Sequence, residues 1–287
     1  MEKARVAVIG GSGLYQIEGL TDIAEVNPET PFGKPSDSII LGTLGGVRTA
    51  FLPRHGRGHR LLPSEVPSRA NMYALKSLGV EMVLAVSAVG SLKQEYIPQD
   101  VVIPDQLIDR TTGRQGTFFG KGLVAHVGFA EPFCPELRRV LFKAAQQNGV
   151  NAHHGGTWVV MEGPQFSTRA ECNLHRSWGA GLIGMTALPE AKLAREAEIC
   201  YASLACVTDY DCWHEECEVV STEMILQNLK NNVTNAKRII KSAMSLLPTE
   251  RSCACADALK NSIATTPEAI PDELKRTLAP IIGKYVK

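Results

Sequence analysis

Neither sign of charge dominates this chain: 30 Lys and Arg stand against 30 Asp and Glu, for a formal net charge of zero at pH 7. That excludes the broad basic surface with which proteins hold a nucleic-acid backbone, and it leaves room for a small anion held by a few local groups. Long apolar runs are also missing. None approaches the ~20 residues that span a bilayer, so no membrane partner is expected. The opening MEKARVAVIGG has one short apolar run and no signal-peptide core, which makes the cytosol the expected compartment. The chain lacks repeats, low-complexity tracts and long linkers. It also lacks the paired Cys-x₂-Cys elements of common zinc sites. Cys212, His214 and Cys217 are ligand types close together, but without that pairing no metal is expected.

Cysteine itself is not scarce. Eight are present, and in the cytosol most are expected to be reduced thiols packed as small hydrophobes. Cys253-Ala254-Cys255 could form a strained, labile disulfide or stay as two reduced thiols. Asn232 heads an Asn-x-Thr sequon of little consequence in that compartment. With 44% hydrophobic and 21% charged residues over 287 positions, the composition is that of a soluble globular enzyme.

Short apolar runs alternate with helical patterns. Strands are expected at Arg5 to Ile9, Thr49 to Leu52, Val80 to Val86, Val101 to Ile103, Leu182 to Met185 and Ile199 to Val207. Ser68 to Leu78 reads as a helix stopped by Gly79. A helix from Pro135 carries Leu137, Val140, Leu141, Ala144 and Ala145 at helical spacing and ends at Gly149. Thr168 and Glu171 fit a capping box, Pro189-Glu190 opens another helix, and Thr222 to Leu247 reads as a long amphipathic one stopped by Pro248. The alternation predicts a single α/β domain, with a mixed, mostly parallel central sheet flanked by helices. This domain is expected over 1–248, with a tail over 249–287 that holds the Cys-x-Cys and a terminal helix and packs on the same domain. Ligands in such folds sit beyond the carboxyl ends of the strands. Polar clusters fall there five times, at Ser12, Arg54-His55, Ser87, Thr186 and Asp209.

Each cluster has a plain reading beside a chemical one. Gly10-Gly11-Ser12-Gly13 is either a tight turn or a phosphate cradle; its spacing does not fit the dinucleotide G-x-G-x-x-G. Arg54-His55 is either a surface pair or an anion clamp built on the planar guanidinium fork. Glu162 to Ser167 is a loop before a helix cap, or the wall on which a ring stacks. Asp209 and Asp211, flanked by aromatics in Thr208-Asp209-Tyr210-Asp211-Cys212-Trp213, are a solvated loop or the reader of a purine.

Taken together, the stretches IGGSGL at 9–14, TPFGKPSD at 30–37, PRHGRGH at 53–59, SAVGSL at 87–92, DQLIDRT at 105–111, AEPFCP at 130–135, EGPQFSTRAE at 162–171, MTALPE at 185–190 and TDYDCW at 208–213 resemble the 5′-methylthioadenosine phosphorylases of the purine nucleoside phosphorylase superfamily. They run in family order over about residues 5–245. The resemblance implies phosphorolysis of a nucleoside, with inorganic phosphate as co-substrate and no metal or organic cofactor. It implies a phosphate subsite of Ser12, Arg54, His55, the Ala88 backbone and Thr186. Met185 would lie against the ribose, and Phe166, Ser167, Asp209 and Asp211 would hold the purine. His126 would reach into a neighbouring subunit's site, so the expected assembly is a trimer or a pair of trimers. Two positions depart from relatives: Gly184 stands where some carry Asn, and Gln165 replaces a common Arg.

The expected chemistry needs no protein nucleophile, because phosphate supplies it. Positive charge builds on the sugar as the glycosidic bond loosens, and bound phosphate stabilises it while positioned for capture. The leaving purine needs a proton at N7, and Asp209 is the candidate acid, kept protonated by burial. A phosphorylase of 6-oxopurine nucleosides or methylthioinosine, and a non-catalytic nucleotide-binding module, are the alternative readings.

Overall fold

In the computed structural model, residues 3–11, 14, 16–214 and 222–286 are described, with 222–227 and 229 as backbone only. The axis of the sheet is β5 (Met82–Ser91), MVLAVSAVGS. Such a nearly unbroken apolar run suits a strand covered on both faces. Along one edge it pairs in parallel with β11 (Cys200–Asp209), from Met82 opposite Cys200 to Val89 opposite Val207. The other edge is shared. There β1 (Val6–Gly10) runs parallel to Met82–Ala85, and β10 (Leu182–Gly184) pairs antiparallel with Gly90 and Ser91. Between those partners, residues 86–89 face no strand on that edge among the described residues.

Beyond β1 the sheet continues through β4 (Val47–Pro53), β3 (Ile39–Leu44) and β2 (Thr21–Val26). Beyond β10 it continues through β9 (Thr157–Met161) and β7 (Gln106–Arg110), both parallel. On the far side β11 takes β6 (Val101–Ile103), which in turn takes β8 (Ala152–His154). Side chains alternate across the strands and fill two cores. Ala7, Ile9, Val83 and Ala85 join one, with α1 (Ser68–Ser77) and α4 (Ala187–Glu196). Val6, Val8, Met82 and Leu84 join the other, with α2 (Pro135–Gln147) and α5 (Thr222–Met244). The Thr168–Glu171 capping box opens α3 (Arg169–Ser177) as expected.

The expected mixed, mostly parallel sheet flanked by helices is therefore present. The strand expected at Val80 to Val86 differs, because it runs on through Ser91. Ser87 and Ala88 are thus part of the central strand rather than a loop after it. The outer strands β2, β7 and β8 carry no strong apolar signal, and β2 is mostly exposed. Asn232 is buried and donates its Nδ2 to the Val207 carbonyl at 2.8 Å, tying α5 to β11. No described helix is long and apolar enough to cross a membrane.

The residues after 248 lie against the first core, through Leu259, Ile270, Leu278, Ile281 and Ile282. Of the short helices α6 (Asp272–Thr277) and α7 (Ala279–Ile282), the second carries Ile281 and Ile282, and Leu278 joins the two. Glu198 is their polar anchor. Its buried carboxylate accepts from the Leu259 amide at 3.0 Å and from the Tyr285 hydroxyl at 2.5 Å. Its carbonyl accepts from Arg251 at 2.7 Å. Replacing Glu198 with Ala leaves the buried Leu259 amide unpartnered, at a cost of about 1–3 kcal/mol, and frees the partly exposed Tyr285 hydroxyl to water. In this variant limited proteolysis should cut within 249–287 before the body of the domain unfolds; a cleavage pattern identical to wild type would deny the anchor.

Candidate active site

The unpaired stretch of β5 is where the candidate residues gather. Backbone groups of alternate strand residues point to the same edge. The Val86 carbonyl accepts from Arg54 Nη1 at 2.8 Å on the open edge, so the amide and carbonyl of Ala88, two residues on, face that edge too. Ala88 is exposed, although its strand neighbours Ser87 and Val89 are buried. Arg54 follows β4, and its amide donates to the Gly10 carbonyl at 2.8 Å, which closes the end of β1 against β4.

Arg54 is not a surface residue: its side chain is 3% exposed and that of Glu190 2%. The guanidinium grips Glu190 through Nε at 2.5 Å and Nη2 at 3.0 Å, and the Tyr201 hydroxyl donates to the same carboxylate at 2.9 Å. Three of the five guanidinium donors are thus engaged, and one hydrogen on each Nη remains. Burial works against the charge of Arg54, but Glu190 outweighs it and holds the guanidinium above its usual range. His55 donates or accepts through Nδ1 with the Leu61 carbonyl at 2.9 Å. A carbonyl only accepts, so the hydrogen sits on Nδ1. Burial, helped by Arg54, pushes the His55 pKa down to about 4. The ring is then neutral at pH 7, with a lone pair on Nε2. Thr186 heads α4 without capping it and donates instead to Ser87 Oγ at 2.9 Å. Ser12 lies outside the described residues.

At the carboxyl end of β11 the two acids lie together and buried. Asp209 Oδ1 accepts the Asp211 amide at 2.8 Å, and Oδ2 accepts the Thr208 hydroxyl at 2.6 Å. Burial nevertheless raises its pKa above the usual carboxylate range. Asp211 is also raised by burial, with the Asp209 charge adding, while the Cys172 thiol and Ser167 hydroxyl favour its ionised form. Asp211 has a left-handed φ of 52°, and its Oδ2 is buried without a hydrogen-bond partner. Glycine at position 90 makes room for the pair: a Cβ there would sit 3.2 Å from Asp209 Oδ1. The loop is held by Trp213, whose Nε1 donates to the Ser91 carbonyl at 2.8 Å under the Arg176 guanidinium, and by the Cys212 thiol on the Ser167 carbonyl.

Met185 lies between these ends. A Cβ on Gly163, whose φ is 70°, would meet Met185 Sδ at 2.5 Å, so the loop from β9 can cross the thioether only as glycine. Phe166, on the same loop, is 62% exposed. His126 is exposed, its amide bonded to the Ser262 carbonyl of the tail at 2.8 Å, and no contact joins it to the other candidate residues among the described ones. At Gly184 a Cβ would come within 2.9 Å of Trp158 Nε1, which leaves no room there for a larger residue.

Glu190, Tyr201 and Arg114 were not legible as site residues. Arg114 makes five hydrogen bonds: to the Met161, Glu162, Met185 and Leu188 carbonyls and to the Glu162 carboxylate. It thereby clamps the end of β9 to the turn that carries Met185. Nothing local in GRQG signals this, because its partners lie more than 45 residues away. Of the three possible ligands Cys212, His214 and Cys217, the last lies outside the described residues. Cys212 groups instead with Cys172 and Asp211.

Arg54→Ala should raise the phosphate KM about tenfold to a hundredfold, the worth of a charge-assisted hydrogen bond, and move the nucleoside KM far less. It also strands Glu190 in the core, at about 3–5 kcal/mol. The double replacement Arg54→Leu with Glu190→Leu should recover much of that stability without recovering phosphate affinity. An unchanged phosphate KM in folded Arg54→Ala would remove Arg54 from the site.

Comparison with known proteins identifies the family. The phosphorylase superfamily matches residues 5–245. The S-methyl-5′-thioadenosine phosphorylase of Geobacter sulfurreducens is 57% identical over 282 residues, covering 98% of this chain and 99% of its own. That of Chloroflexus aurantiacus is 56% identical over 286 residues, with 99% of each chain covered. Among solved structures, a methylthioadenosine phosphorylase from an antarctic soil metagenomic library superposes with a TM-score of 0.94 at 52% identity, over 98% of this chain and 99% of that one. The Schistosoma mansoni methylthioadenosine phosphorylase, solved with adenine, gives 0.84 at 38% identity, over 91% and 99%. With a superfamily match over most of its length and near full-length relatives this similar, the chain belongs to the phosphorylase superfamily and, within it, to the S-methyl-5′-thioadenosine phosphorylases.

Proposed function

We infer that the protein is a pentosyltransferase that splits S-methyl-5′-thioadenosine with phosphate into adenine and 5-methylthioribose 1-phosphate, in the cytosol, as a step of purine and methionine salvage. The observation that carries this reading is the buried pair Asp209 and Asp211, with one unpartnered oxygen on Asp211. Adenine presents an N6 amino group, which donates, and an N7 that must gain a proton as the base leaves. Ionised Asp211 accepts from N6, and protonated Asp209 donates to N7. Neighbouring carboxylates resist double ionisation, which favours one proton on the pair. A 6-oxopurine would set O6 against the Asp211 carboxylate, acceptor to acceptor.

Phosphate enters the gap along β5. The two remaining Arg54 hydrogens, the Ala88 amide, the Thr186 hydroxyl and His55 Nε2 surround it, and Ser12, which lies outside the described residues, is the further ligand that the family resemblance implies. The ribose lies over the Met185 thioether, and Phe166 and Ser167 flank the base. No cofactor takes part, because phosphate is itself the nucleophile and its charge stabilises the developing oxocarbenium ion. A non-catalytic nucleotide-binding module would release no adenine when phosphate is added.

Wild-type enzyme should favour methylthioadenosine over methylthioinosine by a factor on the order of 10⁴ in kcat/KM. Asp211→Asn should relax that preference. Asp209 must hold its proton to donate it, so kcat should fall as the pH rises through its upward-shifted pKa. Asp209→Asn should lose most of the rate and that alkaline limb together. Comparable wild-type cleavage of methylthioinosine would refute the carboxylate pair as the adenine reader. For the assembly, His126 completes a neighbour's site, and light scattering should report a trimer or a pair of trimers; a fully active monomer would sink that role.

A further inference from the structure

Far from the β5 gap in sequence and role, four cysteines converge. Cys134 caps the start of α2, Cys200 opens β11, and Cys253 and Cys255 come from the tail, before and within a short 3₁₀ turn over Ala254–Asp257. All four Sγ atoms lie within 4.8 Å of one another, and those of Cys200 and Cys253 are 3.3 Å apart. Cys134, Cys200 and Cys255 are buried, Cys253 is partly so, and all four are free thiols.

Zinc bound tetrahedrally by four thiolates, at about 2.3 Å each, sets its sulfurs about 3.8 Å apart. The Cys200–Cys253 separation of 3.3 Å lies just under that value, and no pair is more than 4.8 Å apart. Packing alone asks only that a thiol be buried among apolar atoms. It does not ask that four sulfurs from three separate segments share one centre. The Cys-x-Cys supplies two of them from one turn of the tail, and the core supplies the other two from the first residue of a strand and the cap of a helix. We propose that Cys134, Cys200, Cys253 and Cys255 form a closed structural zinc site that fastens the tail to the domain. Four S–H bonds break and four S–Zn bonds form. Four protons leave, no atom changes oxidation state, and the site is left doubly negative. With every position taken by protein, the metal is offered no water and takes no part in phosphorolysis.

Full-length protein prepared under reducing conditions should carry one zinc per chain by elemental mass spectrometry. Cobalt(II) substitution should give the intense visible bands of tetrahedral cobalt in a thiolate field. Cys253→Ser and Cys255→Ser should lose the metal, and chelation should lower the Tm of the wild type but not of Cys253→Ser. The cobalt spectrum of the wild-type chain decides the matter should either variant fail to fold. Protein that retains no zinc after reconstitution with zinc chloride, and gives no tetrahedral cobalt spectrum, overturns the site. So does a peptide map of the same preparation that shows Cys134–Cys200 or Cys253–Cys255 disulfides.

Discussion

The interruption of pairing along one edge of β5 is the constraint on which the rest of the structure depends. A central strand in a buried sheet must find a partner for every backbone group. Here β1 stops opposite Ala85 and β10 starts opposite Gly90. The freed Val86 carbonyl is satisfied by Arg54, which brings a permanent cation into the core. That cation requires Glu190 beside it, and Glu190 takes Tyr201 as its further donor. The ion pair is satisfied by protein alone, yet two guanidinium hydrogens and the Ala88 edge stay available. A packed core thus holds an anion-attracting gap at its centre without an uncompensated charge.

The opposite end of the gap has the reverse electrostatics. Two carboxylates are brought together by a left-handed residue at Asp211 and by the missing side chain at Gly90. Burial pushes both pKa values up, and a carboxylic acid that keeps its proton can serve as a donor. The buried guanidinium beside Val86 and the carboxyl groups beside Gly90 therefore flank opposite ends of the same stretch of β5. Arg114 joins the loop that follows β9 to the turn bearing Met185.

The tail is held by polar and apolar contacts with different reach. Leu259, Ile270, Leu278 and Ile281 extend the core that α1 and α4 fill, while Glu198 and the four-cysteine cluster fix the path of the chain between them. His126 is tied to the tail through the Ser262 carbonyl, so the placement of the tail also fixes the backbone at His126.

Much of this was legible in the sequence. The apolar runs of β1, β5, β6 and β11, the helical spacing from Pro135, and the Thr168–Glu171 cap mark their elements because each signal is local: periodicity, capping and breakers act within a turn or a strand. The motif order from Gly10 to Trp213 pointed to the family and to Arg54, Thr186, Asp209 and Asp211 as companions. The weakly apolar strands β2, β7 and β8 were not legible, since their pairing comes from neighbours rather than from their own residues. Nor was it visible that Ser87 and Ala88 belong to the strand, that Arg54 is buried on Glu190, or that cysteines from three segments meet. The amino-acid sequence by itself determined the fold class, the family and the residue types of the site. The tertiary structure decided which charges are paired, which carboxyl groups are buried and which sulfurs share a centre, because burial and long-range contact set those energies and neither is a property of a local stretch of chain.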